Sequence, residues 1–200
     1  MSRTSRRALS RRTLLLGSLA LPLALGCERR PSRPATLGTL GGFSLTSQEG
    51  KPFGAEQLRG RVWVAAFLFT RCPTVCPRIV ARMKALATEA RQKKLGLRFV
   101  AFSVDPEHDT PEVLAQYARK SGVDGEDFTL LTGDLEAIKR TSVEGFKMAL
   151  EGTPDAGADH LGMLHGSHLV LVDKALGIAG YYRTSDDGEM QRLLADAATL

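Results

Sequence analysis

Cys72 and Cys76 stand four residues apart in Phe69-Thr70-Arg71-Cys72-Pro73-Thr74-Val75-Cys76-Pro77, each followed by a proline. Two thiols this close can do two kinds of chemistry. As thiolates they exchange with disulfides, and as soft donors they hold Cu(I). The apolar run Val62 to Phe69 in front of them reads as a buried strand, and Pro77 to Lys94 reads as a helix. The pair is therefore expected on a strand-to-helix turn, at or near a helix N-terminus. There the helix dipole and free N–H groups favour the thiolate. In a helical turn i and i+4 share a face, which lets both sulfurs point at one ion, or at each other where the geometry permits a disulfide. Only the reduced pair can ligate a metal, so oxidation would switch metal loading off.

The elements that must position this turn follow an α/β pattern of short apolar runs alternating with helical stretches. Strands are expected at 42–46, 62–69, 97–104, 128–132 and 168–172, with 177–183 as the hairpin partner of the last. Ile79, Val80, Met83, Leu86, Ala87 and Ala90 fall on one face of the helix after the cysteines, and Gly96 is expected to close it. A second helix is expected from Asp109-Thr110-Pro111-Glu112 to near Gly122, a third over 135–143 and a last over 186–200. Glu107, Asp109 and Glu112 read as helix-start charges. Trp63, Phe67 and Phe69 share one strand face and read as core. Residues 152–166 read as a loop. Strand, cysteine turn, helix, strand, helix, then hairpin and helix is a thioredoxin-like order, a central mixed sheet flanked by helices.

The formal charge of +5 belongs to the N-terminus. Arg3, Arg6, Arg7, Arg11 and Arg12 carry all of it, with no acid among residues 1–26, so the rest of the chain is neutral. That removes nucleic acid as a partner class. Residues 1–26 have a basic start and then the apolar stretch Leu14 to Leu25, broken by Gly17, Ser18 and Pro22. It is too short to span a bilayer and has signal-peptide architecture. Ser10-Arg11-Arg12-Thr13-Leu14-Leu15 resembles a twin-arginine signal. Leu23-Ala24-Leu25-Gly26-Cys27 resembles a bacterial lipobox, departing from it at Ala24, and Cys27 would be the acylated residue. Residues 27–36 then read as a tether and 37–200 as the domain. The expectation is an exported protein of the periplasm or cell envelope, held at the membrane by a lipid, where a dithiol can be oxidised.

Three segments together resemble the Sco (SenC) family of copper-binding assembly factors for cytochrome c oxidase. They are the cysteine segment, Ser103-Val104-Asp105-Pro106-Glu107-His108-Asp109-Thr110-Pro111, and His165-Gly166-Ser167-His168-Leu169-Val170-Leu171-Val172-Asp173. They occur in the family's order, and the resemblance spans roughly residues 40–195. It implies a thioredoxin-like fold with extra elements, and one copper, Cu(I) or Cu(II), bound by Cys72, Cys76 and His165. The family's metal histidine stands eight residues before the hairpin turn, and counting back from Asp173 gives His165; His160 and His168 do not meet that spacing. Asp105 resembles a family position near the metal, while its plainer role is to hydrogen-bond the loop before Pro111. The implied partners are the oxidase subunit that carries the binuclear copper centre and other periplasmic copper carriers. The resemblance implies a copper chaperone; the alternative within the same family is a thiol-disulfide reductase that keeps the oxidase copper-site cysteines reduced.

The donor chemistry agrees with that implication. Two thiolates and an imidazole suit three-coordinate Cu(I), or Cu(II) with one further donor. A structural zinc site wants a fourth protein ligand, for which His168 is the nearby residue; strand alternation turns it away from His165 if the strand begins there. His108 falls in a charged turn and His160 in a Gly/Asp loop. The stretch where thioredoxin-class enzymes carry a cis-proline is here His165-Gly166-Ser167-His168, without proline, which reads as a binding site in place of a peptide-exchange site. A peroxiredoxin pocket is absent, since Phe69 and Pro73 stand where its Pro and Thr belong relative to Cys76.

Overall fold

The computed structural model describes residues 32–148 and 167–200. The expected leader, Cys27, and the loop with His160 and His165 lie outside the described residues. Among those described, seven strands form one mixed sheet: β1 (Ser44–Ser47), β2 (Pro52–Gly54), β3 (Trp63–Leu68), β4 (Arg98–Ser103), β5 (Phe128–Thr132), β6 (His168–Val172) and β7 (Ile178–Arg183). Their order across the sheet is β2-β1-β5-β4-β3-β6-β7. The central β3, β4 and β5 are parallel, and the flanking strands run antiparallel to their neighbours. The helices are α1 (Val75–Gln92), α2 (Pro111–Ser121), α3 (Leu135–Arg140) and α4 (Asp187–Ala197). This is the thioredoxin-like, helix-flanked mixed sheet that the sequence implied. None of the described helices is long and apolar enough to cross a membrane.

β3 is buried along its whole length, as a central strand covered on both faces must be. On one face Trp63 and Phe67 meet Phe102 of β4 and Phe146, which follows α3. Their ring centroids lie 5.1–6.5 Å apart. On the other face Leu68, Ala101 and Leu130 meet Val80 and Met83 of α1. The alternation of β3 thus gives α1 an aliphatic bed and gives Phe146 an aromatic one.

Several boundaries differ from the sequence reading, each for a local reason. Strand β2 went unread, because a three-residue run with Pro52 and Gly54 at its ends carries no period; its pairing with β1 supplies it. α1 begins at Val75, two residues earlier than read. Pro77 occupies a first-turn position, where a missing N–H costs nothing. The same helix ends before Gly96, because Lys94 takes the left-handed conformation (φ 56°). The Leu95 N–H reaches the Ala90 carbonyl at 2.9 Å and the Lys94 N–H reaches Arg91 at 3.1 Å, which closes the end as a Schellman motif. After α3 the chain continues as one wider turn, Thr141–Gly145, which delivers Phe146 to the core.

The two ends of the sheet have separate tasks. β3 and β4 run in parallel toward the end that carries the cysteine turn and the Asp105–Thr110 loop, and β6 begins at that end. The β6–β7 turn lies at the opposite end. Residues 37–40 lie across it: Leu37 donates to the Ile178 carbonyl at 2.8 Å, Ile178 to Gly38 at 2.8 Å, and Leu40 to Leu176 at 2.9 Å.

Candidate dithiol site

Cys72 lies in the turn between β3 and α1, and Cys76 is the second residue of α1. The sequence reading treated the pair as i and i+4 of one helical turn. Cys72 instead precedes the N-cap, Thr74, and closes its own turn through its N–H on the Phe69 carbonyl at 3.3 Å. The pair still converges, because the Cys76 N–H donates to the Cys72 sulfur at 3.3 Å. Both cysteines are free thiols.

The two sulfurs are not equivalent. Cys76 is 4% exposed and continues the buried stripe Ile79, Val80, Met83 of α1. Burial pushes its thiol up to about 12, and Cys72 and the Asp109 carboxylate add to the shift; a backbone hydrogen bond at Phe69 acts against it. Cys72 is half-buried. Burial raises its pKa too, but N–H groups at Cys76, Thr74 and Val75 donate to the sulfur, and together they bring it below the ordinary thiol value. The free N–H groups at the start of α1 are spent on one sulfur, so Cys72 ionises more readily than Cys76.

Two aspartates hold this turn. Asp109 is fully buried and accepts from the Thr70 N–H at 3.0 Å, the Thr70 hydroxyl, and the Ser103 hydroxyl at 2.6 Å. The sequence reading made it a helix-start charge. The cap of α2 is its neighbour Thr110, whose hydroxyl accepts from the Val113 N–H, and Asp109 turns inward beneath the cysteine segment. Asp105, 3% exposed, accepts from the Arg71 guanidinium through Nε at 2.9 Å and Nη2 at 2.6 Å. Its backbone carbonyl takes the Asp109 N–H at 2.8 Å. Asp105 thus ties the loop before Pro111, and its carboxylate faces the residue adjacent to Cys72.

Of the expected site residues, the fold brings Cys72, Cys76 and Asp105 to one end of the sheet. His168 opens β6 at that same end, half-buried and paired with Arg183. His165 and Cys27 lie outside the described residues. Among those described, no cluster of three or more His, Cys, Asp or Glu side chains can hold a metal ion. Sequence reasoning missed Arg71, Asp109 and Tyr117. Tyr117 of α2 lies close enough to Cys76, Cys72 and Asp109 that their charges join burial in raising its hydroxyl to about 12. Asp109 carries a sequence signal only in hindsight: it precedes the Thr-Pro cap and is one position too early to cap.

Comparison with known proteins gives a consistent answer. The model of the SCO1/SenC family matches residues 32–199. A SCO1 protein homolog of Bacillus subtilis is 34% identical over 131 residues, 65% of this chain and 66% of the relative, so the match spans just under two thirds of that relative's length. Among solved structures, a SCO1/SenC family lipoprotein from Bacillus anthracis is 36% identical, with a TM-score of 0.72 over 84% of this chain and 96% of the other. BsSco, a member of the Sco family of cytochrome c oxidase assembly proteins studied for a disulfide switch, is 26% identical, with a TM-score of 0.70 over 84% and 98%. ScoI of Bradyrhizobium japonicum, solved with copper bound, is 25% identical, with a TM-score of 0.60 over 78% and 98%.

Proposed function

The chain belongs to the SCO1/SenC family, and from that premise we propose that it is an exported copper-binding protein of cytochrome c oxidase assembly. In this reading Cys72, Cys76 and His165 hold one copper, which passes to the oxidase subunit with the binuclear copper centre by exchange of one thiolate at a time. The observation that carries it is the unequal dithiol on an accessible turn. The Cys76 N–H on the Cys72 sulfur keeps two soft donors on one turn, and the half-exposed one is the more readily ionised. Asp105 is engaged by Arg71, so the third donor has to come from another segment. β6 enters the sheet at the dithiol end, three residues after His165, which supports His165 in that role. Similarity to a copper-bound ScoI and to an oxidase-assembly protein points the same way. Other periplasmic copper carriers would supply the metal.

The test is copper stoichiometry on the reduced protein, for wild type, Cys72→Ser, Cys76→Ser and His165→Ala. One copper per chain in wild type, lost or weakened in each variant, is the expected result. Unchanged affinity in His165→Ala removes that residue from the site, and no uptake by wild type removes the metal reading. The same inequality of the two sulfurs also fits a reductase, with Cys72 attacking a substrate disulfide and Cys76 resolving the mixed disulfide, the chain's dithiol being oxidised as the substrate is reduced. Turnover of a peptide disulfide by the metal-free protein distinguishes that role.

Residues 1–26 serve in this reading as the export signal, residues 27–36 as the tether and Cys27 as the lipid-bearing residue. The similarity to a family lipoprotein supports the anchor. Incorporation of a labelled fatty acid that disappears in Cys27→Ser is the expected result; labelling that persists rules Cys27 out.

A further inference from the structure

A groove of about 530 Å³ runs along the surface between α1 and α2, starting at the dithiol. Cys72 lines it and Cys76 does not. Whatever exchanges a ligand or a disulfide with the accessible sulfur therefore meets this groove. Val80 and Ala81 of α1 and Tyr117 of α2 give it an apolar lining, beside Pro77. Lys84 and Lys120 also line it, and no carboxylate does. The Lys84 ammonium is fixed across the helix pair by donating to the Ser121 carbonyl at 2.9 Å. Neither lysine forms an ion pair among the described residues. A volume of this size lies within the range of about 300–1,000 Å³ typical of ligand clefts.

We propose that this groove docks an extended, acidic, cysteine-bearing segment of a partner protein, with the partner's sulfur at Cys72 and its carboxylates at Lys84 and Lys120. The proposal rests on the reading of the dithiol as an exchange site and adds how the partner is recognised. The spacing is specific. From Pro77 to Lys84 the helix rises roughly 10 Å at 1.5 Å per residue. An extended chain covers that in about three residues. The partner's acidic residue then stands about three positions from its cysteine, with an apolar side chain between them against Ala81 and Tyr117. Such a pairing is a rim contact, so it sets encounter rate and selectivity and weakens with salt.

The experiment uses short amidated peptides in which serine replaces the cysteine, so that neither disulfide exchange nor metal transfer contributes. One set carries Asp three and four positions from the serine; the matched set carries Lys there. Binding to the reduced full chain is followed by amide chemical shifts. The expected result is that the acidic peptide binds, shifting Ala81, Lys84, Tyr117 and Lys120, while the basic peptide does not. The double variant Lys84→Glu/Lys120→Glu then loses the acidic peptide by about tenfold or more and gains the basic one. That gain also shows that the variant is folded. Equal binding of both peptides, shifts that map elsewhere, or indifference to the charge reversal overturns the proposal. Copper stoichiometry of the same variant reads the underlying function separately. Uptake equal to wild type places the lysines in docking, whereas loss of copper in the variant assigns them to the metal site and overturns the docking role.

Discussion

The dithiol end of the sheet and the hairpin end are built around the same device, a buried aspartate that collects donors, and they use it differently. At the hairpin end Asp173, 4% exposed, accepts from the Ala175 N–H at 2.8 Å and the Gly177 N–H at 2.7 Å, with the Arg33 guanidinium 3.0 Å away. The backbone donors come from its own turn. A Cβ on Gly177 would stand 2.9 Å from the Asp173 carboxylate, so only glycine lets the backbone approach this closely. At the dithiol end Asp109 takes its donors from Thr70, 39 residues earlier, and from Ser103. The first aspartate closes a local turn, and the second staples one strand's exit loop to another's. Rigidity at the hairpin end comes from the turn's own backbone donors, braced by Arg33 and residues 37–40. At the dithiol end it comes from the parallel pairing of β3 and β4, which puts both loops at one edge, so the geometry of the cysteines is coupled to the whole core.

Removing each aspartate tests that contrast. Asp109→Ala leaves the part-buried Thr70 N–H and hydroxyl and the buried Ser103 hydroxyl without their acceptor, at roughly 1–3 kcal/mol for the worst placed of them. A loss of about 3 kcal/mol in urea unfolding is expected, together with slower alkylation of Cys72 at neutral pH as the Phe69–Cys72 turn loosens. Asp173→Ala frees the part-buried Ala175 N–H, the buried Gly177 N–H and the Arg33 guanidinium, and is expected to cost about 2 kcal/mol. Cys72 should then alkylate at the wild-type rate. If the hairpin variant also changes Cys72 reactivity, the two ends are not independent and the contrast fails. The smallest effect is the most direct reading of the site. Because N–H groups stabilise the Cys72 thiolate, its ionised fraction appears earlier as pH rises, so its alkylation profile has a midpoint below that of an unperturbed thiol. Cys76, raised by burial to about 12, stays unreacted through that range. Equal profiles for the two cysteines, measured by mass spectrometry of labelled peptides, would show that the inequality of the sulfurs is absent.

Much of this architecture was legible beforehand, and the legible parts share a cause. β5 and β6 have the expected bounds, and the cap, first-turn proline and closing Gly122 of α2 stand where read. Each depends on periodicity or on residues within one turn of one another. The boundary errors arose where a local rule met a competing geometry, as when Lys94 closed α1 in the left-handed conformation two residues before Gly96, which is left-handed as well. Cys76 could have been placed in the buried stripe by extending the Ile79, Val80, Met83 spacing back by one turn. The start of α1 hid it, because Pro77 looked like a boundary and is a first-turn residue.

The sequence by itself determined that two thiols sit on a strand-to-helix turn, that the fold is a central mixed sheet with a terminal hairpin, and that the motifs are those of one family. All of these are written in neighbours along the chain. Tertiary structure alone decided how far the two thiols differ in acidity, that Asp109 lies under the cysteine segment, and that α1 and α2 leave a lysine-lined groove beside Cys72. The physical reason is that two chemically identical sulfurs differ only through desolvation and donors, and both are set by what packs around them in space.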